Sequence, residues 1–472
     1  MSRLTDAQRH AVAELLRIAP VADDLGRRFA AAGHRLYLVG GSVRDALLGR
    51  LGDDLDFATD ARPEQVLGIV GEWGATWETG RAFGTIGVAR GEVRCEITTF
   101  RAETYDPDSR KPEVVYGDTL DGDLSRRDFT VNAMAVAVPD HEFVDPYGGL
   151  ADLAEGVLRT PGTPEQSFGD DPLRMLRAAR FAAQLGFSPA PEVVAAMAGM
   201  AERLAIVSAE RVQAELSKLL LGREPARGLM LLVDTGLAEQ VLPELPAMRL
   251  AIDAVHRHKD VYLHSLAVLD NAIALEPDGP DLLLRMAALL HDIGKPATRE
   301  IGPDGVSFHH HEVVGAKLAR KRLRALKYSK AFTDDVCRLI ELHLRFHTYR
   351  MGWTDAAVRR YVTDAGPLLD RLHLLVRSDC TTRNRAKAER LAASYDSLEH
   401  RIVELMAAEE LKAVRPDLDG TEIMTILGVP PGPLVGQAYR YLLDLRMERG
   451  PVPHDEAVEL LRAWAAEHDL VL

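Results

Sequence analysis

Hydrophobic and polar positions follow two periods along this chain, and the change between them divides it. Between residues 36 and 144, short apolar runs bounded by glycine, proline and acids predict strands at 36–39, 54–58, 85–89, 93–100, 134–138 and 142–144. In the run from Val93 to Thr98 the alternation puts Arg94, Glu96 and Thr98 on one face and Val93, Cys95 and Ile97 on the other. From residue 167 the period becomes helical, over 172–185, 191–204, 209–221, 225–235 and 237–242, and strand signals nearly vanish. The cluster Asp145-Pro146-Tyr147-Gly148-Gly149 closes the α/β part, and Pro243 and Pro246 mark a further boundary. An amphipathic helical pattern occupies 5–32, while 102–124 is polar and reads as a long functional or mobile loop. The expected organisation is α+β: a helical extension at 1–34, an α/β region at 35–150, helical regions at 151–246 and 250–392, and a helical tail at 393–472.

Composition narrows the class. A chain of 472 residues exceeds one core, and 47% apolar with 27% charged residues fits a soluble globular protein. No run of about 18 apolar residues is present, so no membrane span is expected. The N-terminal stretch carries acids and does not read as a signal peptide. Three distant cysteines, Cys95, Cys337 and Cys380, imply a reducing compartment and a cytoplasmic location. The net charge of −14 argues against non-specific nucleic-acid binding but allows a nucleic-acid substrate held by a local basic patch.

The first chemical signal lies at 36–59. An apolar strand turns at Gly40-Gly41-Ser42, a short helix follows, and a second strand carries Asp54 and Asp56 two positions apart, hence on one face. Paired carboxylates beside a glycine turn and a helix N-terminus suit metal-assisted phosphoryl or nucleotidyl transfer, and Mg2+ is the fitting ion. Glu96 is the best candidate for a third carboxylate. The plain alternative for 53–56 is a solvated acidic turn. Downstream, Arg126 and Arg127 suit triphosphate oxygens, and Asp128 and Asn132 could read ribose hydroxyls or brace the arginines. At 170–177, Asp171 reads as an N-cap with Pro172 at the first helical position, and Arg174, Arg177 and Arg180 form a stripe. An acid and an arginine at that spacing can recognise base edges; the alternative is an internal Asp171–Arg174 pair.

The ordered set GGSVRDALLG, DLDFAT, RRDFTVNAMA and DDPLRMLRAARF resembles the bacterial class II CCA-adding tRNA nucleotidyltransferase and poly(A) polymerase family over residues 35–245. The resemblance implies a polymerase-β-like nucleotidyltransferase palm followed by an all-helical neck. It implies Asp54 and Asp56 as metal ligands and Gly41 and Arg44 as triphosphate contacts. Arg127 and Asp128 map to its ribose and phosphate motif. Asp170, Asp171 and Arg174 map to the motif that selects the incoming base, where the family usually has Glu-Asp in place of Asp170-Asp171. Arg177 falls on a further nucleotide contact. The substrates implied are tRNA, CTP and ATP, and 102–124 sits where the family has a flexible loop.

A second set, His264, His291-Asp292-Ile293-Gly294-Lys295, His311, His343 and Asp379, resembles the HD-domain metal phosphohydrolases. The resemblance implies one metal on His264, His291, Asp292 and Asp379, and a second on His311 and His343, with Asp292 as the bridge. His309 and His310 compete for the place of His311. Such ligands suit Mn2+, Fe2+, Ni2+ or Zn2+ better than Mg2+. The tail segment 418–436 resembles the same nucleotidyltransferases and is expected either to contact tRNA or to act as a packing module. The reading is therefore CCA addition with an HD phosphodiesterase or phosphatase activity for tRNA end repair. The runner-up is a poly(A) polymerase. Two readings from other classes are an HD phosphodiesterase with a palm used only for binding, and a non-catalytic RNA-binding protein. The sequence leaves the oligomeric state open between monomer and homodimer.

Overall fold

The computed structural model describes residues 20–50, 52, 54–81, 84–104, 113–117, 119–250, 260–302, 305–382, 384–409 and 415–468. The start of the expected N-terminal helix, Asp53, the tip of the 102–124 loop and the basic run at 256–259 lie outside them. The chain forms two compact units, Met1–Pro243 and Glu244–Leu472.

The first unit is built on strands β1 (Leu36–Val39), β2 (Asp54–Thr59), β3 (Ala75–Trp77), β4 (Thr85–Arg90), β5 (Val93–Thr99), β6 (Arg101–Thr104), β7 (Glu113–Tyr116), β8 (Ala135–Val138) and β9 (Phe143–Val144). Seven of them form one sheet in the order β3-β4-β5-β2-β1-β8-β9, while β6 and β7 form a separate ribbon. Only the β2–β5 pair is parallel within that sheet; its other neighbours run antiparallel. Leu55, Phe57, Ile86, Val88, Cys95 and Ile97 are buried on one face, against which the helices Pro20–Ala31 and Pro63–Val70 pack. The opposite face keeps the polar residues of the alternation.

Four local expectations are corrected. The stretch 102–124 is not a plain loop: its described ends are the paired strands β6 and β7 and a helix, Leu120–Ser125, capped by Thr119. The edge strand β3 has too few residues to show a period. Strand pairs also occur beyond residue 150, at Val157–Leu158 with Ser188–Pro189 and at Arg299–Gly302 with Gly305–Phe308. These are two- and four-residue ribbons with polar members, so no apolar run announces them. The neck helix starts at Leu173, one residue later than expected, after a separate helix Pro164–Asp170.

The second unit is helical. Val261–Leu275, Leu282–Leu290, His311–Ala325, Lys330–Leu342 and Leu369–Ser378 pack together. Asp281 caps Leu282–Leu290 by accepting the N–H groups of Leu283 and Leu284 at 2.9 and 3.2 Å. The helix is buried from Leu284 to Leu290 and delivers His291 at its C-cap. Three further helices, Gly420–Leu427, Pro433–Arg449 and His454–Glu467, enclose their own core around Leu418, Ile423, Leu442, Leu461 and Trp464. Among the described residues no helix is long and apolar enough to cross a membrane. Arg285, on the same helix as His291, is held bidentately by Glu276 at 2.7 and 2.6 Å, with side chains only 3% and 4% exposed. Glu276→Ala removes both of these charge-assisted bonds from a buried guanidinium, and we expect a loss of about 3 kcal/mol in the C-terminal unit, measured by urea denaturation.

Candidate active site and candidate metal centre

β1 ends at Val39, and Gly40 adopts φ 67° to turn the chain into the helix Gly41–Leu47. The Asp56 N–H donates to Ser42 Oγ at 2.9 Å, which ties this helix to β2. The parallel register sets Asp54 beside Arg94 and Asp56 beside Glu96. Strand neighbours stand about 4.8 Å apart and project to one side, so Asp54, Asp56 and Glu96 gather on the open face. Asp56 keeps accessible surface on the open face, but the residues crowded around its carboxyl partly desolvate it and raise its pKa; Arg127 and Arg44 oppose this, and the charges of Glu96 and Asp54 add to it. Three carboxylates facing one point leave a need for positive charge there, and hard oxygen donors fit a divalent cation such as Mg2+.

Beside the acids lies a cavity of about 580 Å³. Gly41, Arg44, Asp56, Arg127, Asp128, Asp171, Arg174 and Arg177 are among the residues that line it. Asp54 and Glu96 stand outside this lining. Asp170 is exposed, at the end of the Pro164–Asp170 helix, and does not line the cavity either. The next residue, Asp171, is extended (φ −140°, ψ 100°), so the two aspartates diverge.

Asp128 organises the arginines. It is buried, receives Arg177 at 2.6 Å and accepts from Asn132 Nδ2 at 2.9 Å. Asn132 Oδ1 in turn accepts from Arg44 at 2.6 Å. Burial alone would raise the Asp128 pKa, but Arg177 and the Asn132 hydrogen bond outweigh it and bring it down to about 2. The alternative reading, a side-chain pair between Asp171 and Arg174, is not what forms. Asp171 caps the neck helix through Leu173 N at 3.1 Å and pairs with Arg211 at 2.7 Å. Arg174 donates to Ser167 Oγ at 2.9 Å and to the Arg126 carbonyl. Sequence reasoning missed Arg211, and missed Phe181, whose ring is flanked by Arg44, Arg177 and Arg180 at 5.2, 5.5 and 4.4 Å. Only the i, i+4 spacing of Arg177 and Phe181 hinted at that contact. It also missed Glu215, a buried acid that pairs with Arg180 at 3.2 Å.

In the second unit Asp292 is the hub of the histidine cluster. His291 and His311 approach it at 3.2 Å, His264 at 3.5 Å and His343 at 3.9 Å, all through Nε2. Asp379 meets His264 at 2.9 Å and His291 at 3.7 Å. His291, His311 and His343 each hold a backbone carbonyl through Nδ1, those of Ala288, Phe308 and Ile340, at 2.7–2.8 Å. A carbonyl only accepts, so Nδ1 carries the proton and Nε2 offers its lone pair inward. His291 Nε2, His311 Nε2 and Asp292 Oδ1 are buried without a hydrogen-bond partner. Such orphaned donors fit a bound cation, and their nitrogen and oxygen chemistry suits a transition metal. Burial and the nearby His291 push the His343 pKa down to about 3, so it stays neutral as a ligand must. His309 and His310 are exposed, which leaves the place to His311. Lys295, missed as a site residue, pairs with Asp292 at 2.6 Å.

Two tests follow from this geometry. Arg177→Met leaves the Asp128 carboxylate buried without its cation, at a cost of about 3 kcal/mol near neutral pH. Since the native Asp128 pKa is depressed, its contribution is fully present above the unfolded value and is lost as pH falls towards 2. The deficit of the variant, read from urea titrations at several pH values, should therefore shrink on acidification. In the second unit, a Cβ on Gly294 would lie 2.1 Å from the His311 carbonyl oxygen. Gly294→Ala must push the His311–Ala325 helix aside, and purified protein should carry less transition metal by elemental analysis.

Comparisons with known proteins match both the region of the sheet and the helical region of the histidine cluster. Residues 36–159 match the family described as "Poly A polymerase head domain", 186–248 "Probable RNA and SrmB- binding site of polymerase A", and 261–406 the HD domain. The A-adding tRNA nucleotidyltransferase of Deinococcus radiodurans is 35% identical over 442 residues, 91% of this chain and 95% of the relative. The CCA-adding enzyme of Bacillus subtilis is 44% identical over 211 residues, 44% of this chain and 52% of the relative. The chain thus spans about half the length of that relative. The crystal structure of the Bacillus stearothermophilus CCA-adding enzyme in complex with CTP superposes with a TM-score of 0.70 at 26% identity, covering 95% of this chain and 98% of that one. Both the nucleotidyltransferase and the HD domain imply dependence on a divalent metal. The chain belongs to the tRNA nucleotidyltransferases that join a poly(A) polymerase head domain to an HD domain.

Proposed function

We propose that the protein completes the CCA end of tRNA from CTP and ATP without a nucleic-acid template. The observation that carries this reading is the carboxylate face of Asp54, Asp56 and Glu96 beside an arginine-lined cavity. The tRNA 3′ oxygen forms a bond to the α-phosphorus, the bond to the bridging oxygen breaks, and pyrophosphate leaves. Two Mg2+ ions held by Asp54 and Asp56, when bound, supply acidity to the attacking hydroxyl and neutralise the leaving charge. Glu96 braces that pair. Gly41 and Arg44 receive the triphosphate, and Arg127 with Asp128 fixes phosphate and ribose. Asp171 and Arg174 present hydrogen-bonding edges to the base, with Arg177 behind them. The setting is the cytoplasm.

The HD cluster is proposed to hold Mn2+, Ni2+, Fe2+ or Zn2+ on His264, His291, Asp292 and Asp379, with His311 and His343 completing a second position. Its activity would be hydrolysis of terminal or 2′,3′-cyclic phosphates at damaged tRNA ends. A second reading of the palm, addition of the terminal A alone, is favoured by the A-adding relative that matches along almost the whole chain.

The deciding experiment incubates tRNA lacking CCA with Mg2+ and labelled CTP, ATP or both. Extension by three nucleotides and no further is the expected result. Extension only of tRNA already ending in CC, and only from ATP, selects the second reading. A long A tail points to poly(A) synthesis, and no incorporation overturns nucleotidyl transfer. Asp56→Ala should abolish addition and spare phosphate hydrolysis, and Asp292→Ala should do the reverse.

A further inference from the structure

Trp77 closes β3 at the outer edge of the palm sheet. The registers of β3 with β4, β4 with β5 and β5 with β2 align Trp77, Gly87, Glu96 and Asp56 in one row. Side chains in a row project to the same side, so the indole shares the open face with the carboxylates. Gly87 makes its seat. A Cβ built there would fall 1.9 Å from Trp77 Cε2 and 2.3 Å from both Cζ2 and Nε1. With the ring-fusion atom nearest and its two neighbours equidistant, the approach is onto the flat of the ring; an approach from the rim would bring Cζ2 and Nε1 closer than Cε2. Trp77 therefore lies flat on Gly87, with its opposite face turned away from the sheet, and the residue is only partly buried.

We propose that this indole is the stacking platform for the 3′-terminal base of the RNA that receives the nucleotide. The inference rests on the nucleotidyl-transfer reading. In-line displacement requires the attacking and leaving oxygens on opposite sides of the phosphorus. The cavity reaches Thr98 on β5, but Val39, Gly41, Arg44, Arg127 and Asn132 set most of its lining on the β1 side of Asp56; it takes the triphosphate, so the 3′ hydroxyl arrives across β5 from the sheet edge. From Asp56 to Gly87 is two strand spacings, roughly 10 Å, within reach of one nucleotide from its 3′ hydroxyl to its base. Stacking tolerates any base, because every base has a π-face. That property suits an acceptor whose last base changes with each addition. Base choice at the incoming nucleotide needs hydrogen-bonding edges, which the cavity has; the acceptor side needs only the ring.

The test measures steady-state addition by the full-length protein on tRNA lacking its CCA end, for wild type, Trp77→Leu and Trp77→Phe. Trp77→Leu keeps an apolar cover on Gly87 but has no π-face. It should raise the KM for tRNA about 10- to 100-fold and leave the KM for CTP and ATP unchanged. Trp77→Phe should recover most of the loss. An unchanged KM for tRNA in Trp77→Leu, with wild type active, overturns the platform alone. Equal rises for tRNA and nucleotides together with a lowered melting temperature also overturn it, and reduce Trp77 to a cover for a strand glycine. A wild type that transfers nothing to tRNA overturns the parent reading instead.

Discussion

Like charges forced together are the constraint on which the palm depends. Asp54, Asp56 and Glu96 are brought onto one face by the single parallel pairing in the sheet, and no arrangement of the strand backbones relieves them. Desolvation at the site raises the Asp56 pKa against the pull of Arg127 and Arg44, and the charges of Glu96 and Asp54 add to that rise. A fold retains such a cost where a cation is taken up. The apolar face beneath, from Leu55 to Ile97, is what holds the register: a one-residue slip of β2 against β5 would bury the acids and expose Phe57. Packing on one side of the sheet thus fixes charge on the other.

The HD cluster solves a related problem with the opposite composition. One buried carboxylate, Asp292, is met by four imidazoles and a lysine, and its pKa falls well below the ordinary range although burial pushes the other way. Three of the imidazoles are locked by carbonyls three residues upstream, two of them where a helix ends. The end of a helix leaves carbonyls without partners, so the same feature that terminates the helix orients the ligand. Ligand geometry is therefore set by helix length.

Much of this was legible in the chain because it is local. The alternation around Glu96 set it with Arg94 and Thr98 on the face opposite Val93, Cys95 and Ile97, which requires only the period of a strand; the pairing that puts it beside Asp56 is a property of the sheet. The six HD residues were named in order, and exposure then separated His311 from His309 and His310. What was not legible depends on partners distant in sequence. Helical spacing suggested that Asp171 pairs with Arg174, but Asp171 precedes the helix in an extended conformation and so meets Arg211, forty residues on. Arg174 turns to a backbone carbonyl, which no sequence pattern marks. Trp77 and Gly87 came together through an edge strand too short to carry a period.

Under the nucleotidyl-transfer reading proposed above, these distant contacts explain how an active site would select a base with no template strand. Template-directed recognition borrows the rigidity of a duplex; here protein side chains must supply it. Arg44, Asn132, Asp128, Arg177, Glu215 and Arg180 form a continuous chain of hydrogen bonds and ion pairs from the glycine turn to the neck. Each guanidinium in it is held by an acid or amide, or lies against Phe181. An unpaired arginine would swing among rotamers and accept either base at the cost of a few bonds. A braced one presents a fixed set of donors, and a mismatched base leaves those donors unsatisfied in a partly dehydrated cavity. On that reading selectivity would come from the penalty on the wrong base more than from attraction to the right one, and the buried acids Asp128 and Glu215, which hold Arg177 and Arg180, would keep that penalty in place.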